Sequence, residues 1–335
     1  MGLQIGDIVN RKEVKFEDLK GKTIAVDAFN AIYQFLSSIR QPDGTPLMDS
    51  KQRITSHLSG IFYRNMSLMA QGIKLIYVFD GEYHVLKGKT HEIRQAAKDE
   101  AMEKYEEAKD EEDVEAMGRY SRGFTRLTSE MIVESKELLE AMGVAVYQAP
   151  GEGEMQCAEL VKSGQAYAVG SQDYDALVVG APRLIQNLTL AKTRKTPSGF
   201  IYISPEMIEY QNVLNNLEVD ADGLISLAIL VGTDFNPGGI KGIGPKKALA
   251  LVRQRKFPVE IFKEVEFKME FDWKVIFEIF KKPNVTREKV IFPAMNVEKI
   301  KEILVERHEF SSERIEKQIE KLKEEKRKSA QRKLF

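Results

Sequence analysis

Apolar and polar positions along the chain alternate between two rhythms. A short apolar run, Thr23–Val26, is followed at once by helical spacing in "DAFNAIYQFL" (27–36). The runs "IKLIYVFDG" (73–81), "GVAVYQAP" (143–150) and "QAYAVGSQDYDALVVG" (165–180) read as three further buried strands, with Val169, Leu177, Val178 and Val179 as strand and core. Helical patterns precede them: "SHLSGIFYRNMSLMAQG", "SEMIVESKELLEAMG" and "EMQCAELVKSG". These close on Gly72, Gly143 and Gly164, as helix C-terminal stops should. Alternating strands and amphipathic helices predict an α/β fold with a mostly parallel central sheet flanked by helices. In such sheets the ligand site lies beyond the carboxyl ends of the strands.

Residues 87–127 break the pattern. "KDEAMEKYEEAKDEEDVEAMG" is polar and helix-prone, with too few large apolar residues for a core helix, so it is expected to be an exposed helical insertion. Residues 205–310 read as mainly helical, interrupted by "VGTDFNPGGIKGIGPKKALALV". The tail "KLKEEKRKSAQRKLF" (321–335) is basic and charged, and its end is expected to be flexible.

The strand ends carry the chemistry. Asp27 follows "TIAV", Asp80 follows "LIYVF", Glu152 and Glu154 follow "GVAVYQAP", and Asp173 and Asp175 follow "AYAVGSQ". Strand ends of a parallel sheet share one edge, so these six acids are expected to converge. Asp234, after "LISLAILVGT", makes a seventh. Taken alone, Asp27 reads equally well as an N-cap. The i, i+2 spacing of each pair sends both side chains to one side if the segment is extended. Converging carboxylates repel, and each costs several kcal/mol to desolvate, so a cation must compensate. Magnesium suits an all-oxygen set and needs only one or two direct carboxylates. Seven acids exceed one ion's needs and point to two ions, which roughly 4 Å apart would clamp the attacking and leaving oxygens of a phosphoryl transfer.

Composition narrows this further. The 335 residues carry 50 Lys+Arg against 51 Asp+Glu, a balance that makes no case for or against nucleic acid. Four scattered histidines and one cysteine, Cys157, give no zinc-ligand spacing, no Ser–His or Cys–His nucleophile pair and no internal disulfide. There is no signal-peptide pattern and no apolar run near the ~18–20 residues that span a bilayer. An intracellular protein with no membrane association is expected, cytoplasmic if archaeal and nuclear if eukaryotic.

The motifs "VDAFNAIYQFL", "VFDGEYHVLKGKTHEIR", "APGEGEMQCAEL", "SQDYDALVVG" and "LVGTDFNPGGIKGIGPKKAL" occur together and in this order. The chain closely resembles the archaeal/eukaryotic-type flap endonucleases of the structure-specific 5′ nuclease superfamily, from Gly2 to about Phe310. The resemblance implies a magnesium-dependent hydrolase that cuts DNA one nucleotide into the duplex at the base of a 5′ flap, with 5′–3′ exonuclease activity. Manganese would substitute for magnesium. It carries metal roles onto Asp27, Asp80, Glu152, Glu154, Asp173, Asp175 and Asp234, with Glu154 and Asp173 nearest the ions. Lys87 and Arg94, seven residues apart and so on one helical face, would hold the scissile phosphate. On the residues alone they read as a solvated face. Tyr33 would stack on a base near the cut, whereas on its own it reads as core beside Ile32 and Phe29. Arg40 joins the expected DNA contacts.

The resemblance also names the insertion a helical arch that a single-stranded 5′ end passes through or under. Its basic residues Arg119, Arg122 and Arg126 suit single-strand phosphates, and its acidic first part is expected to face solvent. "GIKGIGPKKALALV" would be a helix–two-turn–helix element. There Gly242 and Gly244 allow close backbone approach, Pro245 starts a helix, free amides bind phosphate, and Lys241, Lys246 and Lys247 add charge. That loop would also hold a potassium ion. Gln331 and Leu334 fit the first half of a sliding-clamp (PCNA) binding box, and Phe335 ends the sequence too early for the box's aromatic pair. The implied organisation is a nuclease region 1–98, the arch 87–127, a second nuclease region 128–258 with the helix–two-turn–helix at about 225–255, a helical region 259–320 and the tail 321–335. A monomer acting on branched DNA is expected. A junction or bubble nuclease on the same scaffold and a non-catalytic DNA- or clamp-binding protein are the alternatives. The compact insertion speaks against the bubble type, and the intact acid set against a pure binder.

Overall fold

The computed structural model describes residues 3–331 apart from 42, 83, 112, 125, 190–192 and 197–198. Nine strands are described: β1 Lys12–Glu13, β2 Thr23–Asp27, β3 Lys74–Phe79, β4 Ala145–Gln148, β5 Ala168–Gly170, β6 Arg183–Gln186, β7 Thr193–Thr196, β8 Gly199–Tyr202 and β9 Glu206–Glu209. The helices are α1 Ala28–Ser38, α2 Ser56–Ala70, α3 Gly88–Asp110, α4 Val114–Tyr120, α5 Ser129–Ala141, α6 Gly153–Lys162 and α7 Asp175–Val178. They continue with α8 Tyr210–Leu217, α9 Ala221–Val231, α10 Pro245–Arg255, α11 Pro258–Val265, α12 Trp273–Lys281, α13 Val297–Lys301 and α14 Ser312–Gln331.

The main sheet has the order β1-β9-β6-β5-β2-β3-β4, and β7 and β8 form a separate hairpin. Strands β6, β5, β2, β3 and β4 run parallel, while β9 and β1 add an antiparallel edge. From β2 the chain steps outward through β3 and β4, then returns to the other side of β2 for β5 and β6. The order therefore reverses between β2 and β5, and a crevice opens there at the carboxyl ends.

Side-chain alternation along the strands builds a core on each face. Ala25, Ile76, Val78, Ala145 and Val169 pack with α6, α9 and α12. Ile24, Val26, Leu75, Tyr77, Phe79 and Ala168 pack with α1, α2, α5 and α14. The expected stops hold: Gly72, Gly143 and Gly164 all have positive φ, which costs a residue without Cβ little.

Three expectations change. The run 165–180 is strand only at Ala168–Gly170, and Asp175–Val178 is a helical turn. Its apolar residues are buried because α7 packs under α9 and against β6, a burial that an apolar run alone cannot assign to strand or helix. Within 205–310 lie the strand β9 and the irregular stretch 282–296. The tail is helical to Gln331, because Ile315, Ile319 and Leu322 form one buried stripe in an otherwise polar sequence. Leu334 and Phe335 lie outside the described residues. Among the described residues no helix is long and apolar enough to cross a membrane.

Candidate active site at the carboxyl rim of the sheet

Asp27 ends β2 and caps α1, accepting the Asn30 N–H at 3.1 Å. Asp80 follows β3 and accepts the Gly153 N–H at 2.7 Å. A Cβ at Gly153 would stand 2.5 Å from that Asp80 oxygen, so the approach of the two loops needs glycine. Glu152 is at the N-cap of α6 and Glu154 in its first turn. Asp173 lies between β5 and α7, and Asp175 begins α7. Asp234 comes three residues after α9.

The acids of 152/154 and 173/175 therefore do not share a side of an extended segment, as their spacing suggested. Helix starts turn them instead. Asp234 follows a helix rather than a strand. Convergence survives these corrections. Asp80 and Asp173 both act electrostatically on Asp27, Asp173, Asp175 and Asp27 act on Glu154, and Asp234 acts on Asp80, Asp173 and Asp175.

The electrostatic consequence is uniform in sign. Burial first, then neighbouring carboxylates, raise the proton affinity of Asp27 and Glu154 well above the ordinary range and that of Asp173 above it. Burial and Glu152 push Asp80 up to about 6, and burial, Asp173 and Asp234 push Asp175 up to about 7. Asp175 Oδ1 is buried without a hydrogen-bond partner.

Two cations enter the cluster. Lys87 bonds Glu152 and stands 3.7 Å from Asp234, with its Nζ 5.2 Å from the centre of the Phe235 ring. Burial would lower its proton affinity, but Glu152 and Asp234 outweigh that and raise it. Arg94 bonds both Asp234 oxygens, at 2.8 and 2.7 Å. Both cations thus bond rim acids, Lys87 largely buried and Arg94 with its side chain 42% exposed.

Among the described residues no three His, Cys, Asp or Glu side chains are placed so that they could hold a metal ion. The fit to a divalent ion is chemical: only hard oxygen donors, an unpartnered buried oxygen, and more negative charge than Lys87 and Arg94 balance. Glu152 and Asp234 are engaged by Lys87 and Arg94 and would have to be released to join such a site.

Family models for the XPG N-terminal domain and the XPG I-region match residues 3–101 and 143–234. A flap endonuclease 1 of Pyrococcus furiosus is 50% identical over 326 residues, covering 96% of this chain and 95% of that protein. The chain belongs to the flap endonuclease family. A flap endonuclease 1 of Thermococcus onnurineus is 48% identical over the same coverage. The solved flap endonuclease-1 of Methanococcus jannaschii is 41% identical and superposes with a TM-score of 0.76 over 96% of this chain and 98% of its own. As a flap endonuclease the chain is a DNA nuclease, a phosphodiester hydrolase.

The other expected residues lie on α1, in the turn after it, in the insertion and in the segment 221–255. Tyr33 is 39% exposed on α1, with Lys98 Nζ 5.4 Å from its ring centre. It is not the core residue that helical spacing suggested, because α1 buries Ile32 and Phe35 instead. Arg40 is pinned by Leu36 and Gly44 carbonyls at 2.9 and 2.8 Å, which closes the turn after α1. The insertion folds as α3 and α4, and α3 buries only Thr90 and Ala108. Its acidic side chains are mostly exposed; Asp99 reaches Arg126 at 3.6 Å and Glu115 reaches Arg119 at 3.9 Å, so the basic strip is partly neutralised by its own helices. Burial, and then nearby Arg122, disfavour the charge on Arg40.

The segment 221–255 is a helix–loop–helix. Pro245 is at the first position of α10, no side chain caps that start, and Gly242 has φ +81°. Lys241, Lys246 and Lys247 are exposed around it. Sequence reasoning missed the neutral partners Asn30 and Ser171. Asn30 follows Asp27 by three residues and Ser171 precedes Asp173 by two, a spacing that carries no signal without the fold.

Proposed function

We propose that this flap endonuclease is a magnesium-dependent, structure-specific 5′ nuclease that cuts at the base of 5′ flaps in DNA replication, including Okazaki fragment maturation, and in repair. It would also act as a 5′–3′ exonuclease. The observation that carries the reading is the convergence of seven carboxylates at the crevice, where Lys87 and Arg94 are the cations bonded to them among the described residues and one buried oxygen is left unpartnered. Two magnesium ions, replaceable by manganese, would supply Lewis-acid activation of the phosphate and of the attacking water. Asp27, Asp80, Glu152, Glu154, Asp173, Asp175 and Asp234 would hold them.

The chain's own groups do the rest. Lys87 and Arg94, released from Glu152 and Asp234, bind the scissile phosphate and balance charge as the bond breaks. Tyr33, exposed beside the rim, stacks on an unpaired base. The uncapped amides at the start of α10, with Lys241, Lys246 and Lys247, grip duplex phosphates without reading bases, and that loop takes a potassium ion. The helical insertion guides the 5′ single strand with Arg119, Arg122 and Arg126. The protein acts as a monomer, with the C-terminal tail docking a sliding clamp.

End-labelled flap, nicked, bubble and single-stranded DNA, incubated with and without magnesium beside Asp173→Ala, tests this. Magnesium-dependent flap cutting that the variant loses, with flap binding retained, is expected. Normal cutting by the variant would refute the acid assignment.

A further inference from the structure

Two neutral side chains tie the acids of separate segments together. Asn30, in the first turn of α1, donates its side-chain amide to Asp173 Oδ2 at 3.0 Å, and its side-chain carbonyl accepts the Gln172 N–H at 3.3 Å. Its backbone N–H bonds Asp27. The Gln172 bond decides the amide's orientation: the flipped rotamer would set NH2 against N–H and oxygen against carboxylate. Ser171 is 4% exposed. It donates its hydroxyl to Glu154 Oε1 and accepts the Asp173 N–H at 3.2 Å. The two clips span the crevice between β2 and β5 and fasten α1, the segment after β5 and α6 to one another.

We infer that Asn30 and Ser171 are positioning residues that set the spacing and orientation of Asp173 and Glu154 for divalent-ion binding. The inference rests on the reading that the rim acids bind such ions. Each clip occupies one oxygen of a carboxylate with a neutral donor, which relieves repulsion without adding a competing positive charge. Both residues would act through the carboxylates they hold. Removing the hydrogen-bonded partner of a metal-ligating carboxylate typically costs about 10–100-fold in metal affinity.

The test uses the full chain and measures Mg²⁺ and Mn²⁺ affinity by calorimetry, with circular dichroism and melting in EDTA to confirm folding. Asn30→Leu, close in size but without donors, and Ser171→Ala are each expected to weaken binding about 10-fold or more, while Ser171→Thr keeps the hydroxyl and stays within about 2-fold of the parent. Added to Asp173→Ala, which removes the amide's acceptor, Asn30→Leu is expected to cost nothing further. Equal affinity in the parent, Asn30→Leu and Ser171→Ala would overturn the inference and leave the metal reading intact. An identical loss from Asn30→Leu with and without Asp173 would also overturn it, because the amide would then act by another route. A parent protein that binds neither ion would overturn the metal reading itself.

Discussion

Two clusters of part-buried and buried acids among the described residues are treated in opposite ways. Around His308 the fold supplies its own compensation. The His308 ring lies between Asp49 Oδ2 at 3.2 Å and Glu134 Oε1 at 2.9 Å. Asp49 also takes Arg53 at 2.7 Å and two backbone N–H groups at 3.0 Å. Glu137 is shared by Arg307 and Lys299, both at 2.7 Å. Burial would raise the Asp49 carboxyl, but the Arg53 and His308 bonds outweigh it and hold it down to about 2. Beside them His57 is fully buried, and burial, then His308, lowers it to about 3, so it stays neutral. At the sheet rim the acids are driven the other way, with Asp80 at about 6 and Asp175 at about 7. A fold able to neutralise one cluster leaves the other short of positive charge. The difference separates charge that fastens the C-terminal region to the loop before α2 and to α5 from charge that the fold leaves less balanced.

The largest expected contrast comes from breaking each cluster once. Asp173→Ala should lower flap cleavage on the order of 10³-fold, since metal activation is worth several kcal/mol. The variant should melt no lower than the parent in EDTA, because a repelled carboxylate is gone. His308→Ala should do the reverse. Leaving Asp49 and Glu134 without their shared partner should cost about 3 kcal/mol in urea unfolding, with the cleavage rate per folded molecule unchanged. A destabilised Asp173→Ala or a catalytically dead, stable His308→Ala would break the comparison.

pH sharpens it. Raised acids contribute stability that is present below about pH 4, their unfolded value. That contribution is lost as pH rises through about 6 for Asp80 and about 7 for Asp175. Magnesium should therefore raise the melting temperature more at pH 8 than at pH 5, measured against EDTA controls. Asp49 has the opposite sign: its contribution is present above about pH 4 and is lost as pH falls through about 2. The stability gap between the parent and Asp49→Asn should close across that acid range.

Gly153→Ala forces a Cβ to within 2.5 Å of Asp80 Oδ1. Displacing Asp80 should cut activity about 10-fold with a stability loss of about 1–3 kcal/mol from the clash. Unchanged cleavage would show that Asp80 tolerates displacement. The smallest effects should come from the exposed lysines of the helix–loop–helix. Lys246→Ala and Lys247→Ala should each weaken flap binding and reduce the salt slope of log K by about 1, whatever the base sequence.

Much of this was legible in the chain. Periodicity gives the first three parallel strands, the helices between them and their glycine stops, because each element buries a single face or run. It misjudges segments where the tertiary setting decides, as with the apolar Leu177–Val178 in α7 and the polar tail that the Ile315, Ile319 and Leu322 stripe holds in a helix. The acids were legible by type and position. The way they converge was not, because the starts of α6 and α7, rather than an extended pleat, turn Glu154 and Asp175 inward. Lys87 and Arg94 were legible only through the family, since two helical cations look solvated until Glu152 and Asp234 are set opposite them. Nothing in the sequence announced the His308 clamp, whose partners Asp49 and Glu134 lie 259 and 174 residues away.

The central claim is that the rim's uncompensated acids exist to hold divalent cations. Crystals of the protein grown with Mn²⁺ and measured at the manganese absorption edge test it most directly. The account predicts anomalous peaks among Glu154, Asp173 and Asp175, with Lys87 and Arg94 moved off Glu152 and Asp234. An ordered rim with no peak there at saturating Mn²⁺, and both cations still in place, would contradict it.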